Sequence, residues 1–249
     1  MFSKKIIYSF LLSLFLLSFS ANSADLNGIL NTGEVKIAVP EAFAPFGSVG
    51  KTGEHEGYDV DVAKLIAKDL GVKLKIVPVV SKQRIPFLET DKVDLVISTM
   101  GANPSRAKSI NFSSAYAPFY SGVFAPSTIK VSSYKDLEGL TIGVTGGTLE
   151  DLELTKMAPK GAKITRFGDN AATLSAIKSK QVQVLVAGNT VAASVTEANP
   201  DFDLERKFII KDSPCFIGVK KGNEDLLRWV NVFIPVSYTH LTLPTILLV

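Results

Sequence analysis

The sequence predicts an α/β protein, and three observations lead to this prediction. Short apolar runs rich in β-branched residues alternate with amphipathic helical stretches along most of the chain. The first half has the order β-α-β-α-β, which favours a parallel sheet. A second α/β unit begins near Tyr134. With 249 residues, 46% of them hydrophobic, the chain is long enough for one large domain or two of ordinary size.

The first 24 residues have the layout of a secretory signal peptide. Lys4 and Lys5 precede a mostly apolar run, 6–19, and small residues follow at 20–24. The apolar run is short for a membrane span. We therefore expect cleavage near residue 24 and an exported, soluble mature protein.

Charge and cysteine content exclude several classes of protein. Without Lys4 and Lys5 the chain has 25 basic and 24 acidic residues, so nucleic acid is not indicated as a partner. Cys215 is the only cysteine, so no internal disulfide can form, and we interpret it as a buried small hydrophobe. The only histidines, His55 and His240, are far apart, and we expect no metal site, no cofactor and no Ser-His-Asp arrangement.

The first elements follow from local signals. Asp25–Asn31 predicts a short helix that ends at Gly33, and Glu34–Val39 alternates in the manner of a strand. The next segment, 40–46, contains two prolines and is followed by a glycine. We expect it to be a rigid loop.

A core-packing helix and a half-exposed strand come next. We expect Asp59 to cap the helix and Gly71 to end it, with apolar residues at helical spacing between them. Asp59 and Asp61 could be paired catalytic carboxylates, but acidic residues in a first helical turn are stabilising without any chemistry, and we favour that structural role. Val72–Val79 predicts the strand, and 81–90 contains a proline-started helical turn.

The segment 92–116 has the strongest signs of a binding site. Val93–Ile97 predicts a buried strand that ends in small polar residues. Asn103 is a good N-cap and Pro104 suits the first helical position, so a helix is predicted there. Arg106 would lie in its first turn, where a cation opposes the helix dipole.

A bound anion would explain a cation at this position. Free backbone N–H groups, the hydroxyls of Ser98 and Thr99, and the guanidinium of Arg106 would converge on one place and could hold a carboxylate. The alternative, a surface Arg106 paired with a nearby aspartate, remains open at this point.

The second half predicts another α/β unit. Ala117–Ala125 is an extended run that crosses into it, Leu140–Val144 predicts a strand, and Leu149–Met157 a helix. The turn between them, Thr145–Thr148, places backbone N–H groups at a helix start. Its two glycines are too few for a P-loop, and no Gly-Lys-Ser or Gly-Lys-Thr follows, so nucleotide binding is not predicted.

The remaining elements are short. Ala162–Phe167 and Val182–Ala187 predict strands around a helix at Ala171–Lys178. Phe208–Lys211 and Phe216–Lys220 indicate a return to the first half of the structure.

The last residues of the chain, 236–249, differ in pattern from the helix that precedes them. Asn223–Ile234 predicts a helix whose apolar face packs on the first half, and Pro235 is expected to interrupt it. Val236–Leu241 is similar to the translation of a transposon adapter used in sequencing libraries. We therefore expect 236–249 to be a non-native tail that follows a truncated reading frame.

Five motifs occur in a specific order and spacing between about residues 33 and 233, although each is weak alone. They are Gly57-Tyr58-Asp59-Val60-Asp61, Arg84-Ile85-Pro86, Arg106 with Ile110-Asn111-Phe112-Ser113 and Tyr116, Asp136-Leu137-Glu138-Gly139, and Gly146-Gly147-Thr148. Together these motifs resemble family 3 of the extracellular solute-binding proteins, the amino-acid-binding proteins that serve ABC transporters.

The resemblance implies a two-lobed periplasmic-binding-protein-like fold. Each lobe would be a mostly parallel sheet flanked by helices, and two strands would form the hinge. The expected organisation is a signal peptide at 1–24, lobe 1 at 25–117, lobe 2 at 118–213, a return to lobe 1 at 214–235 and the tail at 236–249.

The resemblance also implies a set of ligand contacts. Arg106 would hold the ligand's α-carboxylate, Arg84 would reach its side-chain end with Ser81 beside it, Phe43 would cover it and Thr148 would donate to the carboxylate. Two alternatives remain open: Phe43 merely packs under its loop, and Arg84 is an exposed charge at a helix start. The full set of expected contacts is Phe43, Ser81, Arg84, Thr99, Gly101, Arg106 and Thr148.

Three positions depart from the family pattern and leave the ligand's identity open. Gly188 stands where the family usually has an acidic partner for the ligand's ammonium group, although Asn189 is adjacent. Gly101 stands where relatives often have Ser or Thr, and Pro40 where relatives with acidic ligands have Arg.

The expected function is therefore binding of a polar or acidic amino acid in the periplasm by a monomer that delivers it to an ABC-type membrane permease. Two rivals share the fold. One is a periplasmic cyclohexadienyl or arogenate dehydratase, for which Glu41 is the nearest candidate acid or base. The other is the sensor domain of a receptor.

Overall fold

The structure, a computed structural model, describes residues 25–237 and contains two five-stranded sheets, each with its own helices. We call them lobe 1 and lobe 2. The expected signal peptide at 1–24 lies outside the described residues, as does the expected tail from residue 238 onward.

Lobe 1 has the sheet order β4-β1-β5-β12-β6. The first three strands are parallel, and β12 pairs antiparallel with both β5 and β6. Its elements are α1 Leu26–Thr32, β1 Glu34–Pro40, the hairpin β2 Ser48–Val49 and β3 His55–Glu56, α2 Tyr58–Leu70, β4 Lys73–Val79, α3 Arg84–Glu89, β5 Leu95–Gly101, β6 Ile110–Ala117, β12 Cys215–Lys220 and α7 Glu224–Ser237.

Lobe 2 has the sheet order β11-β7-β10-β8-β9. Strands β10, β8 and β9 are parallel, while β7 runs antiparallel to β10 and β11. Its elements are β7 Tyr120–Ala125, β8 Thr141–Thr145, α4 Leu149–Met157, β9 Lys163–Phe167, α5 Asn170–Lys178, β10 Val184–Gly188, α6 Asn189–Ala198 and β11 Glu205–Asp212.

Two adjacent crossings join the lobes. The first leads from β6 to β7 and the second from β11 to β12. The strands on either side of the crossings are paired, Ala117 with Cys215 in lobe 1 and Tyr120 with Asp212 in lobe 2. Ser213 N–H donates to Phe119 O over 2.9 Å between these pairs. The predicted two-lobed α/β fold with a two-strand hinge is therefore confirmed. The expectation of mostly parallel sheets is wrong at the level of strand pairing, because each sheet has two parallel and two antiparallel pairings once the strands at the crossings join it.

The hydrophobic core lies between the sheets and the helices that pack on them. All seven residues of β5 are buried, as expected for the central strand of a sheet that is covered on both faces. The largest hydrophobic cluster contains residues of both lobes. Phe46 of lobe 1 and Phe119 of the first crossing meet edge to face, with ring centroids 6.0 Å apart.

Local signals placed most helix ends correctly, but not the start of α2. Asp25 caps α1 through a bond from Gly28 N–H, and Gly33 and Gly71 end α1 and α2 at φ values of 66° and 69°. The expected cap Asp59 is wrong, because Gly57 is the N-cap and Asp59 lies inside the first turn. The Asp59 side chain makes tertiary contacts instead, as described below.

The helix predicted after Asn103 is also wrong. Asn103 does act as a cap, since its Oδ1 accepts from Arg106 N–H over 2.8 Å. Only a single 3₁₀ turn follows, Arg106–Lys108, because the chain enters β6 at Ile110 and pairs with β12. Sheet pairing thus outweighs the local helix signal.

The interruption expected at Pro235 does not occur, because α7 continues to Ser237. The buried side chains of Val230, Phe233 and Ile234 hold this end of the helix against lobe 1. Their burial offsets the loss of about 3 kcal/mol that a proline causes within a helix. Helix α6 and the β2–β3 hairpin were not predicted from the sequence.

Candidate ligand-binding cleft

A cleft lies between the lobes, at the carboxyl ends of β5, β8 and β10, where open α/β sheets usually bind ligands. Its volume is about 430 Å³, including space open to solvent. Six of the seven expected contact residues line it: Phe43, Arg84, Thr99, Gly101, Arg106 and Thr148.

Arg106 connects the two lobes. Its guanidinium donates to Gly101 O of lobe 1 over 2.7 Å and to Gly147 O of lobe 2 over 2.9 Å. Burial, together with the charge of Arg84, lowers the pKa of Arg106 to about 10, so it remains protonated at neutral pH. Among the described residues Arg106 has no aspartate partner, so the alternative of a paired surface arginine is wrong.

Arg84 lines the cleft, and only 6% of its surface is exposed. Its Nε donates to Ser98 Oγ over 3.1 Å. Burial lowers the pKa of Arg84, and the charges of Asp59 and Glu150 oppose that shift. The alternative of an exposed charge at a helix start is therefore wrong.

Asp59 lies behind the cleft and fixes its wall. Its carboxylate accepts from Thr99 N–H over 2.9 Å and from the Tyr116 hydroxyl over 2.7 Å. Burial raises the pKa of Asp59 to about 7, even though these bonds and nearby Arg84 act in the opposite direction.

Thr99 has a φ of 44°, an unusual value for a β-branched residue. Such strain persists only where surrounding contacts hold it, and here Asp59 and Tyr116 both accept from its N–H. Its strained backbone belongs to the cleft wall.

Thr148 lines the cleft, but its hydroxyl is already used. It is the N-cap of α4, accepting from Asp151 N–H over 3.2 Å and donating to Thr145 O over 2.9 Å. Asp151 in turn accepts from Gly147 N–H and pairs with Arg166 over 2.7 Å. These bonds fix the turn at the N-terminus of α4. The Thr148 hydroxyl could therefore donate to a ligand only if it gave up its bond to Thr145 O.

Phe43 both lines the cleft and packs under its loop, with its ring centroid 5.2 Å from that of Phe46. The two interpretations of Phe43 are therefore compatible. Ser81 does not line the cleft, but it lies beside Arg84 in two neighbouring cavities. Glu41, the candidate acid or base, lines one of those cavities and not the cleft.

The two glycines that depart from the family pattern are closely packed. A Cβ atom at Gly101 would lie 2.3 Å from Leu149 Cδ1 and 2.5 Å from Ser213 Oγ. A Cβ atom at Gly188 would lie 1.8 Å from Phe119 Cζ. Both contacts are far shorter than van der Waals distance. Neither position therefore accepts a larger residue without movement of its neighbours.

Several residues that line the cleft, above all Glu150, were not predicted from the sequence. This carboxylate is buried and accepts from Ser121 Oγ over 2.7 Å. Its position in the first turn after Thr148, an expected ligand contact, was the available signal. The other missed residues include Phe119, Leu149, Asn170, Val191 and Ser213.

Metal-binding clusters and membrane-spanning helices are not found in the described part of the chain. Within residues 25–237, no group of three or more His, Cys, Asp or Glu side chains is placed to hold a metal ion. In the same range, no helix has the length and apolar character needed to cross a membrane.

The sequence pattern of the bacterial extracellular solute-binding proteins, family 3, matches residues 35–244. The chain belongs to this family. It is thus a solute-binding protein rather than an enzyme. Its relatives are likewise named as binding proteins.

Two such relatives show the range of similarity. The chain is 30% identical over 184 residues to the ABC transporter glutamine-binding protein GlnH of Bacillus subtilis. The aligned residues are 72% of this chain and 67% of that protein. It is 24% identical over 217 residues to the L-cystine-binding protein TcyJ of Escherichia coli K12, covering 85% and 80%.

Solved structures agree with the fold. The arginine-bound form of truncated ArgBP from T. maritima matches with a TM-score of 0.78 and 31% identity, covering 84% of this chain and 98% of that one. The ancestral amino-acid-binding protein AncCDT-1 matches with a TM-score of 0.79 and 29% identity, covering 86% and 93%. AncCDT-1 is described as a precursor of cyclohexadienyl dehydratase and is itself a binding protein, so it does not favour the enzyme interpretation.

Proposed function

We propose that this solute-binding protein holds one amino acid between its lobes, in the periplasm and as a monomer, and delivers it to an ABC-type permease. The observation that carries the proposal is the position of Arg106, a partly buried cation in the cleft whose guanidinium bonds to both lobe 1 and lobe 2. Relatives that bind glutamine and cystine, and a structural neighbour with bound arginine, support an amino acid as the ligand.

Binding would begin on lobe 1. Arg106 would exchange its bond to Gly147 O for two bonds to the ligand's carboxylate, each charge-assisted bond contributing about 1.5–3 kcal/mol. The lobes would then close if the ligand makes additional contacts with lobe 2, because a ligand shifts a conformational equilibrium only by its difference in affinity for the two forms. The permease would recognise the closed form.

The charges of the cleft favour a polar or acidic amino acid. Arg84 and Arg106 line it together with one carboxylate, Glu150. With one arginine assigned to the α-carboxylate, the other is available to attract a polar or negatively charged side chain. Arg84 would have this role, since it lines the cleft and its Nε is held by Ser98 Oγ.

The test is calorimetric titration with the twenty L-amino acids and a few dicarboxylates. At least one should bind, and Arg106→Ala should abolish that binding while the melting temperature changes little. The matched control is Arg228→Ala, which removes an exposed arginine from α7 and should bind as the wild type does. If no amino acid binds the wild type, or if Arg106→Ala keeps full affinity, the proposal is wrong.

A further inference from the structure

Glu150 is the one acidic side chain among the described residues that line the cleft. We infer that Glu150 binds the ammonium group of the ligand and thereby makes the protein selective for α-amino acids over carboxylic acids that lack the amino group. This inference rests on the proposed function, and it adds the residue that recognises the second charge of the ligand.

The carboxylate of Glu150 is held in position and has bonding capacity left. It is 7% exposed, and its Oε1 accepts from Ser121 Oγ over 2.7 Å on strand β7. Its Oε2 accepts no hydrogen bond from any described residue, although an ionised carboxylate offers several lone pairs. A positioned carboxylate with an unused oxygen at the cleft is well suited to bind a cation.

The other residues that line the cleft cannot supply that charge. Gly188 has no side chain, and the ring of Phe119 fills the adjacent space, with Cζ only 1.8 Å from the point that a Cβ atom would occupy. Asn170 and Ser213 also line the cleft, but they are neutral. A hydrogen bond to an ionised group is about twice as strong as one between neutral groups, so an ammonium would favour Glu150 over either.

Charge balance supports the same assignment. Arg84 and Arg106 would repel an ammonium group, and Glu150 is close enough to both that its charge raises their pKa values against the lowering caused by burial. A zwitterion placed with its carboxylate at Arg106 and its ammonium at Glu150 meets an opposite charge at each end.

The test compares two ligands in one variant. Glu150→Gln removes the charge and keeps an oxygen that can accept from Ser121, so the local structure is retained. The probes are the tightest-binding of the twenty L-amino acids and the acid that lacks its α-amino group; for L-glutamate this acid is glutarate. Glu150→Gln should lower the affinity for the amino acid about ten- to a hundredfold. The affinity for the des-amino acid should stay unchanged or rise slightly.

Glu153→Gln is the matched control, because it removes the same charge from the same helix at a half-buried residue outside the cleft. It should leave both affinities unchanged. If Glu150→Gln binds the amino acid as tightly as the wild type, or weakens both ligands equally, the inference is wrong while the proposed function stands. If the wild type binds no amino acid, both are wrong.

Discussion

At the scale of single residues, the cleft depends on a buried group behind it. Asp59 was interpreted from the sequence as a stabilising residue of a first helical turn, and it does lie in that turn. Its carboxylate, however, holds the strained Thr99 in the cleft wall and accepts the Tyr116 hydroxyl. Because no solvent reaches it, burial dominates its ionisation.

The raised pKa of Asp59 predicts a dependence of stability on pH. Its value of about 7 in the folded protein exceeds the ordinary 3.8, so the folded state holds this proton more tightly than the unfolded state. The stabilisation that this proton gives to the folded state is fully present below about pH 4 and is lost as the pH rises through about 7. Asp59→Asn should remove this decline from the free energy of unfolding, measured with urea between pH 4 and 8.

Asp61→Asn is the control for that experiment. Asp61 lies in the same helical turn, but it is exposed and pairs with Lys64 on the surface. This variant should keep the pH dependence of the wild type. If Asp59→Asn keeps it as well, the proton is not held by Asp59.

Arg84 leads to a prediction about specificity. If Arg84 binds a side-chain carboxylate, Arg84→Ala should weaken the binding of L-glutamate by about 2–5 kcal/mol, as measured by calorimetry. The binding of L-glutamine should weaken much less. The melting temperature must be followed too, because Asp59 loses a nearby cation. An equal loss for both ligands would show that Arg84 does not recognise the side chain.

At the scale of secondary-structure elements, the end of β5 faces the start of α4 across the cleft. Gly101 ends the strand and Leu149 begins the helix, and the two are in close contact. The family's more common Ser or Thr would not fit at position 101 in this arrangement. The absence of a side chain there is what lets strand and helix approach.

Gly101→Ala should therefore oppose closure. Its Cβ would lie 2.3 Å from Leu149 Cδ1, and overpacking of this kind costs about 1–3 kcal/mol. We expect ligand affinity to fall by that amount. Gly168→Ala is the matched control, since a Cβ atom there has no neighbour within 4 Å and the variant should bind normally. Unchanged affinity of Gly101→Ala would mean that closure does not need this contact.

At the scale of the whole molecule, the two lobes share contacts as well as a hinge. The largest hydrophobic cluster crosses between them, and Arg106 bonds to a carbonyl of each lobe. Apolar contact near the hinge keeps the lobes together there, while the polar contacts at the cleft can exchange with a ligand. This division suits a molecule that opens and closes about its two crossings.

Small-angle scattering tests this movement. A compact chain of this size should have a radius of gyration of about 17 Å. The ligand-free protein should be larger than the ligand-bound one, because the ligand stabilises the closed form. Adding the same amino acid to the Arg106→Ala variant should leave its radius of gyration unchanged. Compaction of that variant by the ligand would show that closure does not depend on Arg106.

The sequence alone was sufficient for the fold class, most elements and six residues that line the cleft. Helix ends at Gly33 and Gly71 and the helix Leu149–Met157 were predictable because these signals act within one or two turns of the chain. Where a local signal competed with sheet pairing or packing, as after Asn103 and at Pro235, the tertiary contacts decided the outcome.

Only the tertiary structure decided how the cleft is built. The bond from Arg106 to Gly147 O joins residues 41 apart, that from Thr99 to Asp59 residues 40 apart, and that from Ser121 to Glu150 residues 29 apart. Caps and hydrophobic periodicity carry no information over such separations. The charge and type of each residue are written in the sequence, but which charges meet, and which are buried deeply enough to shift their pKa values, depends on how the sheets bring distant strand ends together.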